Sequence, residues 1–305
     1  MRANPALPSI GIMASDFNPC TIRAAEAFDR LGNGSLDAVD CRWYLDGRSG
    51  VDAYTAGHIS GAAFADIDSH LADLSIEGQG RHPLPSEDQF VTALLGIGVD
   101  PASQIVAYDD VGGSIAARLW WMGTQLGMKV RVLDGGIQGW EYGLESGPSK
   151  RQALKKTTFS RGEKRFADGI LTTDELAESI RTNTICVLDA RAAERYQGNF
   201  EPIDPRSGHI PSAISFPSAN LLDSSKHFLD QVAIESLFGD AVDLQQGQEI
   251  VASCGSGITA CHLILASQHA TGVRPLLYAG SFSAWSRRDD LDVATGSDPG
   301  SLDER

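Results

Sequence analysis

The sequence is poor in basic residues, and it has no apolar run long enough to cross a membrane. Its 305 residues include 25 Lys and Arg against 40 Asp and Glu, which gives a formal net charge of −15. Binding to nucleic acid without sequence preference needs Lys and Arg to displace counterions, so we expect no nucleic-acid partner. A membrane-spanning helix needs ~20 apolar residues, so we expect no membrane partner either. Residues 1–17 lack the continuous apolar core of a secretory signal.

Cysteine is also scarce, and its pattern excludes two common uses of the residue. The chain has five cysteines, an odd number, and no two of them have CxxC spacing. The sequence therefore predicts neither a disulfide framework nor a zinc site, and we expect no metal or other cofactor and a cytoplasmic location. Cys41, Cys186 and Cys261 lie in or beside apolar segments and are predicted to be buried, inert thiols. Cys254 differs, because it separates an apolar run from a loop with two glycines.

Four sequence elements recur in the same order in the two halves of the chain. They are GHISGA (57–62) and GHIPSA (208–213), LDAVDCR (36–42) and ICVLDAR (185–191), QIVAYDD (104–110) and EIVASCG (249–255), and LDGGIQGW (133–140) and YAGSFSAW (278–285). The interval between copies is far longer than the unit of a solenoid. The pattern therefore indicates a duplicated domain.

Each half alternates short β-branched runs with segments that carry helical signals. A capping box opens one predicted helix in each half, at Ser86 and at Thr172. Strands that alternate with helices imply a mostly parallel sheet covered on both faces. We therefore predict an α/β protein with tandem domains, each a mostly parallel sheet flanked by helices. The expected domains are 1–148 and 170–305, and the polar segment 149–169 is the expected linker.

The segment CGSGITA (254–260) follows a predicted strand and precedes a predicted helix, and three chemistries use such loops. A phosphate-binding Walker loop needs Gly-Lys-Ser/Thr, but Ile258 follows the second glycine. A cysteine phosphatase needs an arginine six residues after its nucleophile, where Ala260 stands. Sulfur transfer remains. Backbone N–H groups and the helix N-terminus would favour a thiolate on Cys254, and the same groups would stabilise a persulfide.

This loop and the ordered repeats resemble the two-domain rhodanese family, and the loop is most similar to that of its 3-mercaptopyruvate sulfurtransferases. The resemblance extends from about residue 20 to about residue 290 and includes Trp120-Trp121. It implies an enzyme in which Cys254 takes sulfur from 3-mercaptopyruvate and pyruvate leaves. A thiol acceptor such as thioredoxin, or cyanide, then removes the sulfur. Asp109 stands where the first copy would need its cysteine, so the first domain is expected to be catalytically silent.

The resemblance also implies roles for further residues. The expected catalytic set, in which a proton relay assists the nucleophile, is Cys254, Ser256, His82 and Asp68. The expected substrate-binding set is Arg195 and Arg206, which would clamp the carboxylate, together with Gly255, Gly257, Ile258 and Thr259. The two arginines are more widely spaced here than in the family's pattern. His58 and His209 occur in both copies, as do the pairs Asp40/Arg42 and Asp189/Arg191, so all of these are expected to be structural.

Two alternatives to 3-mercaptopyruvate sulfurtransferase stay open. One is a thiosulfate sulfurtransferase, although dedicated enzymes of that kind usually place basic residues directly after the cysteine. Here Gly255 and Ser256 are neutral, which suits a smaller monoanionic donor better than the thiosulfate dianion. The other alternative is a non-catalytic module that carries a persulfide in sulfur trafficking.

Overall fold

The computed structural model describes residues 19–242 and 248–302. The segment 1–17, for which we predict no secretory signal, lies outside these residues. Within the described ranges, none of the helices combines the length and the apolar character that crossing a bilayer would require.

The first half alternates strands and helices as predicted. Its elements are β1 (Thr21–Ile22), α1 (Ala24–Gly32), β2 (Asp37–Asp40), α2 (Gly50–Ala56), β3 (His58–Ile59), β4 (Ala63–Phe64), α3 (Ile67–His70), α4 (Glu87–Gly96), β5 (Gln104–Tyr108), α5 (Ala116–Gln125), β6 (Lys129–Leu133) and β7 (Leu144–Glu145). Five strands form a parallel sheet in the order β1-β6-β5-β2-β4. The short strands β3 and β7 pair antiparallel beside it.

The second half repeats this plan. Its elements are α6 (Thr173–Arg181), β8 (Ile185–Asp189), α7 (Ala193–Tyr196), β9 (Ile214–Ser215), α8 (Gln231–Val242), β10 (Glu249–Ser253), α9 (Thr259–Thr271), β11 (Leu276–Leu277) and α10 (Ser281–Trp285). Four strands form a parallel sheet in the order β11-β10-β8-β9. The prediction of mostly parallel sheets flanked by helices is confirmed, whereas the exact domain limits stay a prediction.

Both predicted capping boxes are present. The Ser86 hydroxyl accepts from the Gln89 amide at 3.2 Å, and the Gln89 side chain accepts from the Ser86 amide at 2.7 Å. Thr172 and Glu175 make the same reciprocal pair at 3.3 and 2.8 Å. Each box satisfies two N–H groups that a helix start leaves without partners, so α4 and α6 begin where the sequence indicates.

The duplicated ion pairs are buried and have the same geometry in both halves. Arg42 contacts Asp40 at 2.6 Å after β2, and Arg191 contacts Asp189 at 2.7 Å after β8. In each pair the guanidinium also donates to a backbone carbonyl 2.7 Å away. These contacts fix the turn after the strand, as expected for structural pairs.

The duplicated histidines are structural too. Nδ1 of His58 lies 2.9 Å from the Tyr54 carbonyl, and Nδ1 of His209 lies 2.8 Å from the Tyr196 carbonyl. Each ring stacks on the same tyrosine, with centroids 3.9 and 3.7 Å apart. Both histidines are buried, so their role in packing and hydrogen bonding is confirmed.

The two halves pack against each other through α5 and α9 and share one hydrophobic core. Trp120 and Trp121 of α5 are buried there, and Arg274 lies over the Trp120 ring at 4.9 Å. Residues that follow β2, β5, β8 and β10 line a single cleft between the halves. Parallel α/β sheets usually bind ligands at the carboxyl ends of their strands, so this cleft is where a site is expected.

Candidate active site

Cys254 opens the loop between β10 and α9. Its Sγ accepts a hydrogen bond from the Gly257 amide at 3.2 Å. Gly257 has a φ of +78°, and a Cβ at this position would lie 2.3 Å from the Ala279 carbonyl oxygen. Only glycine fits both constraints, so Gly257 permits the turn that directs its amide at the sulfur.

The start of α10 holds the loop from the other side. The Cys254 amide donates to Ser281 Oγ at 3.1 Å. The Phe282 amide donates to the Cys254 carbonyl at 3.0 Å, and the Ser283 amide donates to the Gly255 carbonyl at 2.9 Å. These three bonds fix the backbone on both sides of the thiol, so the position of Sγ does not depend on side-chain packing alone.

The same loop in the first half is a cradle for an anion. Asp109 takes the place of Cys254, and its two carboxylate oxygens accept from the amides of Val111, Gly113, Ile115 and Ala116 at 2.7 to 2.9 Å. Successive N–H groups that converge in this way form an anion-binding concavity. In the first half the protein's own carboxylate fills it. In the second half the sulfur of Cys254 stands at the equivalent place, where it accepts a hydrogen bond from the Gly257 amide.

The cleft next to Cys254 has a volume of about 530 Å³. Six residues of the predicted site line it: Cys254, Gly255, Ser256, Ile258, Thr259 and Arg195. The first half contributes Trp43, Tyr44 and Arg81 among others. Gly257 contributes its amide to the sulfur instead of lining the cleft. Both halves therefore build the site, which gives the first domain a role without a nucleophile of its own.

Two guanidinium groups approach the loop at Gly255. A Cβ at this glycine would lie 2.9 Å from Arg81 Nη2 and 3.4 Å from Arg195 Nη1. Arg195 is in α7, whereas Arg81 comes from the first half, where its amide donates to Ser283 Oγ at 3.0 Å. The absence of a side chain at 255 thus lets two cations come close to the residue after the thiol. A planar carboxylate suits such groups, because guanidinium can bind it through paired bonds.

Two buried carboxylates hold these arginines in place. Glu201 accepts two bonds from Arg195 Nη2, at 2.7 and 2.8 Å. Asp204 pairs with Arg81 and lies 3.6 Å from Arg195 Nη2. Burial raises the pKa of Glu201, but the Asp204 amide and Arg195 outweigh this effect, and the pKa lies below its usual value. Glu201 is therefore ionised at neutral pH.

Arg206 does not reach the cleft, which corrects the prediction that it clamps the substrate together with Arg195. Its guanidinium donates at 2.8 to 3.0 Å to four backbone carbonyls, those of Trp285, Ser286, Arg288 and Leu291. These carbonyls lie at and beyond the end of α10, and those of Trp285 and Arg288 also accept from the amides of Arg288 and Leu291, at 3.0 and 3.2 Å. Arg206 completes that turn, and Arg81 takes the place beside Arg195 that the sequence assigns to Arg206.

His82 and Asp68 lie together, with Nε2 and Oδ1 3.2 Å apart. Burial and two neighbouring arginines lower the pKa of His82 to about 3, so the ring is neutral. Among the described residues, no hydrogen bond joins His82 to Ser256. Trp43, which lines the cleft, stands edge-on to the His82 ring with centroids 5.2 Å apart. The structure thus joins two members of the predicted relay and leaves Ser256 apart, in the cleft.

Comparisons with known proteins agree with this geometry. The family described as Rhodanese-like domain matches residues 23–142 and 172–288. The chain belongs to the two-domain rhodanese family. A probable 3-mercaptopyruvate sulfurtransferase of Pseudomonas aeruginosa is 36% identical, over 90% of this chain and 98% of the relative. A putative thiosulfate sulfurtransferase of Mycobacterium tuberculosis is 34% identical, over 90% of this chain and 97% of the relative.

A solved structure leads to the same group of proteins. The 3-mercaptopyruvate sulfurtransferase from Leishmania major matches with a TM-score of 0.74 and 28% identity, over 87% of this chain and 74% of that one. These similarities place the chain near the 3-mercaptopyruvate branch of the rhodanese family and support sulfurtransferase activity.

The other cysteines of this rhodanese chain lack such surroundings. Cys41, Cys186 and Cys261 are buried, as predicted. Burial raises the pKa of Cys186 to about 11 and that of Cys261 to about 12, and it raises the pKa of Cys41 well above its usual range. Thiols with a raised pKa carry little thiolate at neutral pH and are poor nucleophiles.

Arg118 is a site residue that sequence reasoning missed. It is fully buried in α5, and its Nη1 donates to the Gly257 carbonyl at 3.0 Å. Its Nη2 donates to the carbonyls of His82 and Leu71, at 2.9 and 3.3 Å. The signal in the sequence was a single arginine inside the otherwise apolar helix AARLWWM, because a cation is rarely buried without a specific partner. Arg81 carried no comparable signal.

Proposed function

We propose that this chain transfers sulfur from 3-mercaptopyruvate, through a persulfide on Cys254, to a thiol acceptor. The observation that carries the proposal is the position of the Cys254 sulfur, which accepts from the Gly257 amide in a cleft where Arg81 and Arg195 both approach Gly255. A thiolate in an N–H cradle is a nucleophile, and two guanidinium groups beside it suit a substrate carboxylate.

The first half-reaction breaks the carbon–sulfur bond of the donor. The Cys254 thiolate attacks the donor sulfur and forms a sulfur–sulfur bond, and the electron pair of the broken bond leaves on pyruvate as its enolate. The sulfur keeps its proton, so the enzyme holds Cys254–S–SH. The enolate then takes a proton to become pyruvate. In the second half-reaction an acceptor thiolate attacks the outer sulfur, and Cys254 returns as the thiolate.

Ser256 is the proposed proton donor to the enolate, because its side chain lines the cleft two residues after Cys254. A serine hydroxyl is a weak acid, and a neutral His82 fixed by Asp68 is the proposed support for it. Catalytic hydrogen bonds are often long before the substrate binds, so the missing bond between Ser256 and His82 does not exclude this relay.

The donor is assigned from the residues after the nucleophile. Gly255 and Ser256 carry no charge, so the loop offers no cation of its own to a dianion. Arg81 and Arg195 suffice for one carboxylate. Thiosulfate is the second candidate donor, because the relatives include proteins named for it.

The proposed acceptor is a small thiol protein such as reduced thioredoxin, in a cytoplasmic setting. Two observations support these assignments. Leu45 and Val111 line the cleft and are 53% and 37% exposed, so apolar surface is available where an acceptor would approach. All five cysteines are free, which suits a reducing compartment.

The test combines pyruvate release with mass spectrometry. Wild-type protein given 3-mercaptopyruvate and dithiothreitol should release pyruvate, and without acceptor it should gain one sulfur atom on the peptide containing Cys254. Cys254→Ser should abolish both results, because serine does not ionise at neutral pH. The control Cys186→Ala, which changes a buried thiol of β8, should keep both. A stable sulfur adduct on another cysteine, with Cys254 unmodified, contradicts the proposal.

A further inference from the structure

Asp204 joins arginines from both halves behind the cleft. It pairs with Arg81 of the first half, and its oxygens lie 3.6 Å from Arg195 and 3.5 Å from Arg287 of the second half. Its side chain has no exposed surface. Oδ2 accepts no hydrogen bond within the part of the chain that the structure describes. Asp204 therefore places one buried carboxylate among three guanidinium groups.

Buried acids offset the positive charge of the cleft before any donor binds. Four guanidinium groups line it, those of Arg48, Arg81, Arg191 and Arg195. Arg48 pairs with the exposed Asp46, and the buried carboxylates that contact the other three are those of Asp204, Asp189 and Glu201. Each of these three arginines thus has a buried acid in contact with it, and Arg118 and Arg287 add further positive charge beside the cleft. Charges removed from water interact more strongly than exposed ones, so each acid weakens the attraction that an incoming anion feels.

This offset acts differently on the two candidate donors. Thiosulfate carries two negative charges and 3-mercaptopyruvate carries one. Because Coulomb energy scales with the product of the charges, one additional net positive charge favours the dianion about twice as strongly as the monoanion. Each acid that offsets a guanidinium therefore withholds from thiosulfate part of the compensation that a dianion needs on leaving water.

We propose that Asp204 is a specificity-determining residue that limits the positive charge of the cleft and thereby favours the monoanionic donor. It acts through Arg81 and Arg195, and the inference rests on the proposed function. Glu201 carries the same charge, but its Oε1 also accepts from the amides of Ile203 and Asp204, both at 3.1 Å. Glu201 therefore shapes the local loop as well, which makes Asp204 the cleaner position to change.

The decisive variant is Asp204→Asn, which keeps the size of the side chain and an oxygen for Arg81. Wild type and variant are assayed with 3-mercaptopyruvate and with thiosulfate, and cyanide serves as the acceptor for both. We expect the ratio of thiosulfate to 3-mercaptopyruvate kcat/KM to rise by about tenfold or more, mainly through a lower KM for thiosulfate. Asp204→Glu should restore the wild-type preference, because it restores the charge.

Asp37→Asn is the matched control. Asp37 begins β2, at the opposite end of the strand from the cleft, and it pairs with Arg151 at 2.5 Å. This variant makes the same change in net charge and also breaks an ion pair. It should leave the donor ratio within about twofold of wild type, since its distance from the cleft allows screening by salt.

The outcomes separate the two proposals. An unchanged or lower donor ratio in Asp204→Asn, or an equal loss on both donors, overturns the role of Asp204 and leaves the proposed function intact. If Asp204→Asn does not fold, Asp204→Ser removes the same charge with a smaller side chain, and its donor ratio decides the question. Wild type without activity on either donor contradicts the proposed function itself, and the inference fails with it.

Discussion

Arg118 of the first half donates to the Gly257 carbonyl of the second half across 3.0 Å. The amide of the same glycine donates to Cys254 Sγ. Gly257 is thus held through both of its peptide groups, one by the sulfur that it supports and one by a buried cation of the other half. Arg118 thus helps to fix the orientation of Gly257, whose amide contacts the sulfur, and places a positive charge next to the loop that follows Cys254.

Arg118→Lys should therefore slow every reaction of the thiolate. Lysine keeps the charge, but its compact ammonium cannot span the carbonyls that separate guanidinium nitrogens of Arg118 reach, and a lost hydrogen bond to a charged group costs about 1.5–3 kcal/mol. We expect kcat/KM to fall by about tenfold or more with both donors, and alkylation of Cys254 by iodoacetamide at neutral pH to slow in parallel.

Arg274→Lys is the control for this variant. Arg274 is largely buried and also donates across the halves, to the Trp121 carbonyl at 3.3 Å and to Thr124 at 3.1 Å, but it does not contact the loop. In the Arg274→Lys variant, iodoacetamide should alkylate Cys254 at the wild-type rate. If both variants lose alkylation rate equally, Arg118 serves only the packing of the halves.

The sequence predicts the fold and the nucleophile because both depend on local or repeated patterns. Capping boxes and alternating strands and helices are visible in short segments, and the ordered duplication is visible as a repeat. The positive φ of Gly257 favours glycine, so the turn after the nucleophile also has a local signal. Arg206 shows the limit of such reasoning. Its partners lie around 80 residues further along the chain, at the end of α10, and nothing near Arg206 indicates that it turns toward them and away from the cleft.

Arg81 shows the same limit from the other side. Its position in the cleft depends on Ser283, 202 residues away, and on Asp204, 123 residues away. Contacts of this length are set by how the halves pack, which a single sequence does not display. The effect of Asp204 on the charge of the cleft could not be predicted for the same reason, because nothing in the sequence distinguishes Asp204 from the other acidic residues of this acidic chain.

Arg81→Gln should change KM, whereas Arg206→Gln should change the free energy of unfolding. Arg81→Gln removes a cation from the cleft, so KM for 3-mercaptopyruvate should rise about tenfold or more, or about 1.4 kcal/mol. Arg206→Gln removes a guanidinium that holds four carbonyls, so the free energy of unfolding should fall by about 3 kcal/mol with KM unchanged. Urea unfolding and steady-state kinetics on both variants check this. A raised KM in Arg206→Gln alone would return Arg206 to the substrate site.

Stability should fall as the pH falls below about 6.5. Burial lowers the pKa of His262 to about 4 and is the main reason that the pKa of His82 is about 3. In the unfolded chain both imidazoles have their usual pKa near 6.5, so between these values the unfolded state binds more protons than the folded state. Each histidine then contributes a loss of up to about 1.4 kcal/mol per pH unit on acidification.

His262→Gln isolates one of these contributions. His262 contacts the Gly112 carbonyl through Nε2 at 3.1 Å, and a glutamine amide can donate to the same group. Urea unfolding between about pH 6.5 and pH 5 should give a shallower pH dependence in the variant than in wild type, whatever the absolute stability of each. The same dependence in both proteins would mean that His262 is protonated in the folded state.

Ser256→Ala should separate the two donors. Pyruvate leaves as an enolate that needs a proton, whereas sulfite leaves thiosulfate as a stable anion. General acid catalysis contributes about 100-fold or more, so turnover of 3-mercaptopyruvate should fall by about that factor while thiosulfate activity stays nearly unchanged. Equal losses on both donors would mean that Ser256 only shapes the loop.

The link from Ser256 to His82 needs a double-mutant cycle, because the described residues show no hydrogen bond between them. If a neutral His82, fixed by Asp68, supports the serine, then His82→Gln should lower turnover of 3-mercaptopyruvate by itself. Adding Ser256→Ala to it should then lower the rate little further, since members of one relay act as a unit. Losses that multiply would show independent roles. In that case Ser256 would donate its proton without the relay. His82 and Asp68 would then have a structural role, in which the His82 ring packs against Trp43 in the wall of the cleft.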